Sequence, residues 1–178
     1  MDLTEKTLSS EVIYRGVITT VQLDKAQLPN GATATREVVR HPNGVAVLAL
    51  DGEDRVVLVT QYRYPLGKTL LEIPAGKLDP EEEPRAGALR ELSEEAGVEP
   101  EELIGLGSIY VSPGFCDEEI YLYLARGLRQ GACHPDEDEF LDVSRMPFDR
   151  LVDRIMAGEI SDAKTVAAVL KAKQWLGR

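Results

Sequence analysis

Cysteine is nearly absent from this chain. Cys116 and Cys133 are the only two in 178 residues, and they form no CxxC pair. That argues against a thiolate zinc site or a disulfide framework, and two thiols suit a reducing compartment. Basic residues are scarce too: 20 Lys and Arg stand against 31 Asp and Glu, for a net charge of −11. Nucleic acid and membrane surfaces are themselves negative, so general binding to either is not expected. An anionic small substrate stays compatible with this charge, provided that metal ions bridge the two. No apolar run approaches the roughly 20 residues of a spanning helix. The opening MDLTEKTLSS has neither the basic nor the apolar stretch of a signal peptide. A cytoplasmic protein is the expectation.

What is present is the material of one domain with a small accessory element. The hydrophobic content of 43% is that of an ordinary globular protein. Residues 8–42 read as short strands: EVIYRGVITTVQL alternates and is β-branched, LPNGAT is a turn, and TREVVRH is a further strand. This opening is too small to bury a core alone, so residues 1–43 are set apart from a main domain at 44–178. In that domain VAVLAL (45–50) and RVVLVTQY (55–62) are apolar strands joined by a tight turn. LLEIPAG (70–76) reads as one short strand. RAGALRELSEEAG (85–97) reads as a helix, with Pro84 suited to its first turn and Gly97 to its end. LIGLGSIYV (103–111), IYLYLARGL (120–128) and FLDVSRM (140–146) are further strands, and two helices finish the chain. Interleaved strands and helices imply an α/β fold, with a mixed sheet between helices.

The informative stretch runs from Gly76 to Val98: Gly76, Glu82, Arg90-Glu91-Leu92, Glu94-Glu95 and Gly97-Val98 at fixed spacing. On a helix, Glu91 and Glu95 lie four apart on one face. Two carboxylates stacked in this way repel unless a cation lies between them, and they are hard oxygen ligands of the kind Mg²⁺ or Mn²⁺ prefers. Arg90 and Glu94 are four apart on a neighbouring face, and Glu82 sits on the preceding loop. A Glu-rich helix is usually only a solvated, charged face. That reading does not account for two glycines and two apolar positions at the same fixed places.

This pattern resembles the signature of the Nudix hydrolases, and the resemblance extends from about residue 8 to the end. It implies the Nudix fold, an α/β/α sandwich, and metal-dependent hydrolysis of a pyrophosphate bond. It also implies metal binding by Glu91 and Glu95 with the backbone carbonyl of Ala75. Glu82 would organise the site, and Gly76, Arg90 and Glu94 would support it. Ser112-Pro113-Gly114-Phe115, with Pro113 fifteen residues beyond Val98, is similar to the ADP-ribose pyrophosphatase subfamily. Within that subfamily the acidic loop Asp136–Glu139 supplies the base and a further metal contact. Residue-wise matching makes Glu137 the base and Glu139 the added ligand. The reverse assignment, and Glu139 in both roles, stay open. Arg63, in QYRYP, is placed to contact phosphate with its planar fork. By the same resemblance Arg36 and Glu37 reach a nucleotide, in the partner subunit's site, and Ile18 lies against the adenine. Residues 1–43 would then form an exchanged homodimer.

His41 and His134 have no ligand pattern and read as structural, and Trp175 reads as packing for the last helix. The expected reaction is ADP-ribose plus water giving AMP and ribose 5-phosphate. The alternatives are another nucleoside diphosphate derivative (an ADP-sugar, NADH, GDP-mannose, a flavin or an oxidised nucleotide) and a non-catalytic regulator that binds ADP-ribose.

Overall fold

The computed structural model describes residues 1–131 and 140–178 and divides into two compact units. One comprises Met1–Asn43 with Tyr110–Glu119, and the other Gly44–Ile109 with Ile120–Arg178.

The first unit is a three-stranded antiparallel sheet of β1 (Lys6–Arg15), β2 (Thr20–Gln27) and β3 (Thr33–Arg40), in sequence order. The Pro29-Asn30-Gly31 turn joins β2 to β3. There Gly31 adopts φ 83° and its N–H donates to the Leu28 carbonyl at 2.9 Å. A side chain at that φ is strained, which explains the glycine. Every residue of β1 is exposed, including Leu8, Ile13 and Tyr14. Segment 110–119 joins this unit: the Val39 N–H donates to the Phe115 carbonyl at 2.7 Å, and the Asp117 N–H to the Val39 carbonyl at 3.2 Å. Nothing in the order of residues announces that grouping.

The second unit is built on β4 (Gly44–Leu50), buried along its whole length. Sheet order is β10 (Leu141–Pro147), β5 (Arg55–Arg63), β4, β9 (Glu119–Gln130) and β8 (Val98–Tyr110). β4 runs parallel to β9 and antiparallel to β5, so the sheet is mixed as expected. Val45, Val47 and Ala49 pack with Ala88, Leu92 and Ala96 of α1 (Pro84–Ala96). Alternation sends Ala46 and Leu48 to the opposite face, where α3 (Ala163–Trp175) meets β4. A strand covered on both faces must be apolar at every position, and VAVLAL is. Phe148, which opens α2 (Phe148–Met156), is wholly buried; such a ring contributes about 1.5–3 kcal/mol by leaving water.

The stretch 70–76 differs from the single strand expected. β6 (Lys68–Glu72) pairs with β5, whereas β7 (Ala75–Lys77) pairs with β4. The change of partner falls at Ile73-Pro74, because proline offers no N–H to continue a ladder. Pro74 instead accepts from the Val47 N–H at 2.9 Å. Among the described residues, no helix is long and apolar enough to cross a membrane.

Candidate active site

Helix α1 begins with Pro84 at its first turn and stops at Gly97. That glycine takes φ 61°, and its N–H donates to the Ser93 carbonyl. Between these ends Glu91 and Glu95 fall on the buried side, 8% and 1% exposed. Burying two carboxylates is costly without compensation, and the neighbouring backbone shows what compensates. The Ala75 N–H donates to Glu95 Oε2 at 2.8 Å. Gly76 lies so close that a Cβ there would stand 2.1 Å from the Glu91 carboxyl, so any other residue would push that carboxyl aside. β7 and the Glu91/Glu95 face of α1 are thus in direct contact.

Arg90 is the hub of the acidic cluster. Its Nε and Nη2 fork onto Glu82 at 3.0 and 2.8 Å. Nη1 donates to Glu91 at 2.8 Å and to Glu94 at 2.9 Å, and Nη2 also to the Lys77 carbonyl at 3.0 Å. A guanidinium has five N–H donors, so none is left for a substrate. Glu82 also accepts from the Asp79 N–H at 3.0 Å. Arg90 chiefly, then Asp79, holds the Glu82 carboxyl down to about 2, from an ordinary 4.5. A carboxyl depressed in the fold stabilises it above its unfolded value, and that contribution fades as pH falls towards the folded value. Glu82→Gln should therefore melt below wild type at neutral pH, with the gap closing between about pH 4.5 and 2. Thermal melts through that range check this; a gap that does not change with pH would assign the loss to something other than the charge.

Arg63 reaches a second carboxylate that sequence reasoning did not single out. Its Nε donates to Glu72 at 2.7 Å, and Nη2 takes the other oxygen. Glu72 is fully buried and also pairs with Lys164 of α3. Burial pushes the Glu72 carboxyl up, but Arg63 and Lys164 outweigh it and hold it below its ordinary value. The available signal was a charge inside the apolar run LLEIP, which must find a buried partner. The partner itself, ninety-two positions away, leaves no local trace.

In the first unit Arg36, Glu37 and Pro113 line one cavity of about 380 Å³ with Tyr110 and Phe115. Arg36 is engaged by Glu5, with Nε and Nη2 at 2.9 and 2.7 Å. Glu37 lines the same cavity beside it. Ile18 is exposed and not among the lining residues. His41 sits 3.4 Å from Glu118. Arg126 lies 6.0 Å from the ring of the half-exposed Trp175. Glu137, Glu139, Cys133 and His134 lie outside the described residues. Among the described residues no three His, Cys, Asp or Glu side chains group as a ready-made metal site. Glu91 and Glu95 nonetheless suit a hard divalent cation: two buried carboxylates on one helix face, with the backbone of Ala75 and Gly76 against them.

Residues 40–169 match the NUDIX domain, so the chain belongs to the Nudix family, whose members generally depend on divalent metals. Residues 5–39 match the nucleoside diphosphate sugar hydrolase N-terminal domain. The chain is 49% identical to the methanol dehydrogenase activator of Bacillus methanolicus, over 93% of this chain and 90% of that one. It is 41% identical to the ADP-ribose pyrophosphatase of Bacillus subtilis, over 94% of this chain and 91% of the relative. A solved ADP compounds hydrolase superposes with a TM-score of 0.87 at 25% identity, covering 99% and 97% of the two chains.

Proposed function

We propose that the chain hydrolyses ADP-ribose to AMP and ribose 5-phosphate with Mg²⁺ or Mn²⁺. The observation that carries this reading is the likeness to ADP-ribose pyrophosphatases, from Bacillus subtilis at 41% and Mycobacterium tuberculosis at 37%, over more than nine-tenths of the chain. It spans both the N-terminal strands and the Nudix domain. The buried pair Glu91 and Glu95 supports it.

Glu91, Glu95, the Ala75 carbonyl and Glu139 are the groups that would hold metal. When bound, a divalent cation neutralises phosphate oxygens and acidifies water. The remaining work falls to the chain. Gly76 and Ala75 shape the floor beneath the carboxylates, and Arg90 keeps Glu91 and Glu94 oriented. Arg63 meets a phosphate oxygen, and Glu137 takes the proton of the attacking water. Pro113, Arg36, Glu37 and Ile18 contact the nucleotide. The exposed apolar residues of β1 support a homodimer built through residues 1–43; light scattering of the intact chain giving a monomer mass would remove that part.

Product analysis on a panel of ADP-ribose, NADH, GDP-mannose, ADP-glucose and FAD tests the substrate. ADP-ribose is expected to give the highest kcat/KM, with AMP as product. A preference for another member of the panel would replace it. The methanol dehydrogenase activator at 49% identity favours a second reading, that the chain raises the rate of an alcohol dehydrogenase. Assaying a methanol dehydrogenase with and without the chain decides it; an unchanged rate rules it out.

A further inference from the structure

Four charged side chains form a partly buried group beside the acidic helix. Glu72 is wholly buried and Lys164 is 8% exposed. Lys164 donates to Glu72 and, at 2.9 Å, to Asp162. Asp162 caps α3 by accepting from Thr165 N at 3.0 Å and Thr165 Oγ1 at 2.6 Å. Arg63 closes the group through its fork onto Glu72. The charges balance, two cations against two carboxylates. A balanced buried group of this kind is weak evidence for stability, since apolar residues of similar size often serve as well. Stability alone therefore does not account for it.

The geometry supplies another reason. Arg63 is the most exposed member, its side chain 36% exposed against 14% for Asp162, 9% for Lys164 and 0% for Glu72. Nε and Nη2 are committed to Glu72, while Nη1 carries no hydrogen bond among the described residues. Glu72 is also three residues from Ala75, and each residue between is pinned. The Ile73 N–H donates to Thr165 Oγ1 at 3.0 Å, Pro74 accepts from Val47, and the Ala75 N–H donates to Glu95. A short, fixed segment therefore ties the group to a carboxylate of the acidic helix face.

We infer that Glu72 and Lys164 are positioning residues that hold Arg63 with one edge presented to a phosphate oxygen of a nucleoside diphosphate. The inference rests on the hydrolase reading above and deepens it. Arg63 alone, on a flexible stem, would lose much of its binding to the ordering of its own rotamers. Fixed by a fork at its rear, it meets the anion already ordered. Because that contact exists before and during reaction, its loss should appear in binding rather than in turnover.

The test compares wild type, Arg63→Ala, Glu72→Gln, Lys164→Met and the double variant Arg63→Ala/Glu72→Gln. Kinetics with ADP-ribose are read beside calorimetric titration with ADP in Mg²⁺. Arg63→Ala and Glu72→Gln should each raise KM and the ADP Kd by about tenfold, the scale of one charged hydrogen bond, with kcat little changed. The double variant should be no worse than Arg63→Ala, because Glu72 acts through Arg63. Additive losses, or a fall in kcat at constant KM, overturn the inference. If Glu72→Gln does not fold, Lys164→Met decides: it keeps the Arg63–Glu72 pair but loosens it. An ADP Kd equal to wild type in that variant overturns the inference. ADP reports on Arg63 even if another ADP derivative proves to be the substrate, so the two readings fail separately.

Discussion

Glu95→Gln and Glu91→Gln are each expected to lose at least about 100-fold in kcat while keeping the wild-type fold. The size follows from metal catalysis, which contributes several kcal/mol of transition-state stabilisation when the cation is correctly held. The survival of the fold follows from the hydrogen bonds. Glutamine keeps an oxygen at position 95 to accept from the Ala75 N–H, and one at position 91 to accept from Arg90. What is lost is the charge and one acceptor oxygen, which becomes an amide NH2. Initial rates at saturating metal and substrate, with a thermal melt for each variant, make the comparison. Turnover near wild type in both variants would remove these carboxylates from the metal site.

The second large effect belongs to the acidic loop. Glu137→Gln should cut kcat by about 10²–10⁴-fold, the usual contribution of a general base, and leave the metal requirement where it was. Glu139→Gln should instead raise the metal concentration needed for half-maximal rate, with partial recovery in excess Mg²⁺. A metal titration of initial rate for each variant separates the roles. Recovery of Glu137→Gln by metal, with none for Glu139→Gln, would exchange the assignments. Wild-type behaviour in both would return the loop to a solvated acidic turn.

What could be read from the sequence was what short-range rules decide. The helix Pro84–Ala96 announces both ends, by a proline at its first turn and a glycine that must take positive φ. The apolar run VAVLAL marks a strand covered on both faces before any partner is known. Less legible was whatever depends on distant pairing. The partner change at Ile73-Pro74 needed knowledge that β4 lies beside β7. The Glu72–Lys164 pair joins residues ninety-two apart. Gly87, where a Cβ would stand 2.4 Å from Leu78, looks like any helix glycine until the loop folds over it.

The five bonds of Arg90 bear on how this protein is made. Carboxylates gathered for a cation repel one another until it arrives, and a site with no other remedy would leave the chain unfolded without metal, as zinc fingers are. Here a resident guanidinium already neutralises part of that charge, bonded to Glu82, Glu91 and Glu94. A cation that took Glu91 would leave Arg90 with Glu82, Glu94 and the Lys77 carbonyl. If Glu91 holds metal as proposed, loading would exchange one counter-ion, Arg90, for another at that carboxylate. On the proposed reading, folding of this helix would not have to wait for a metal.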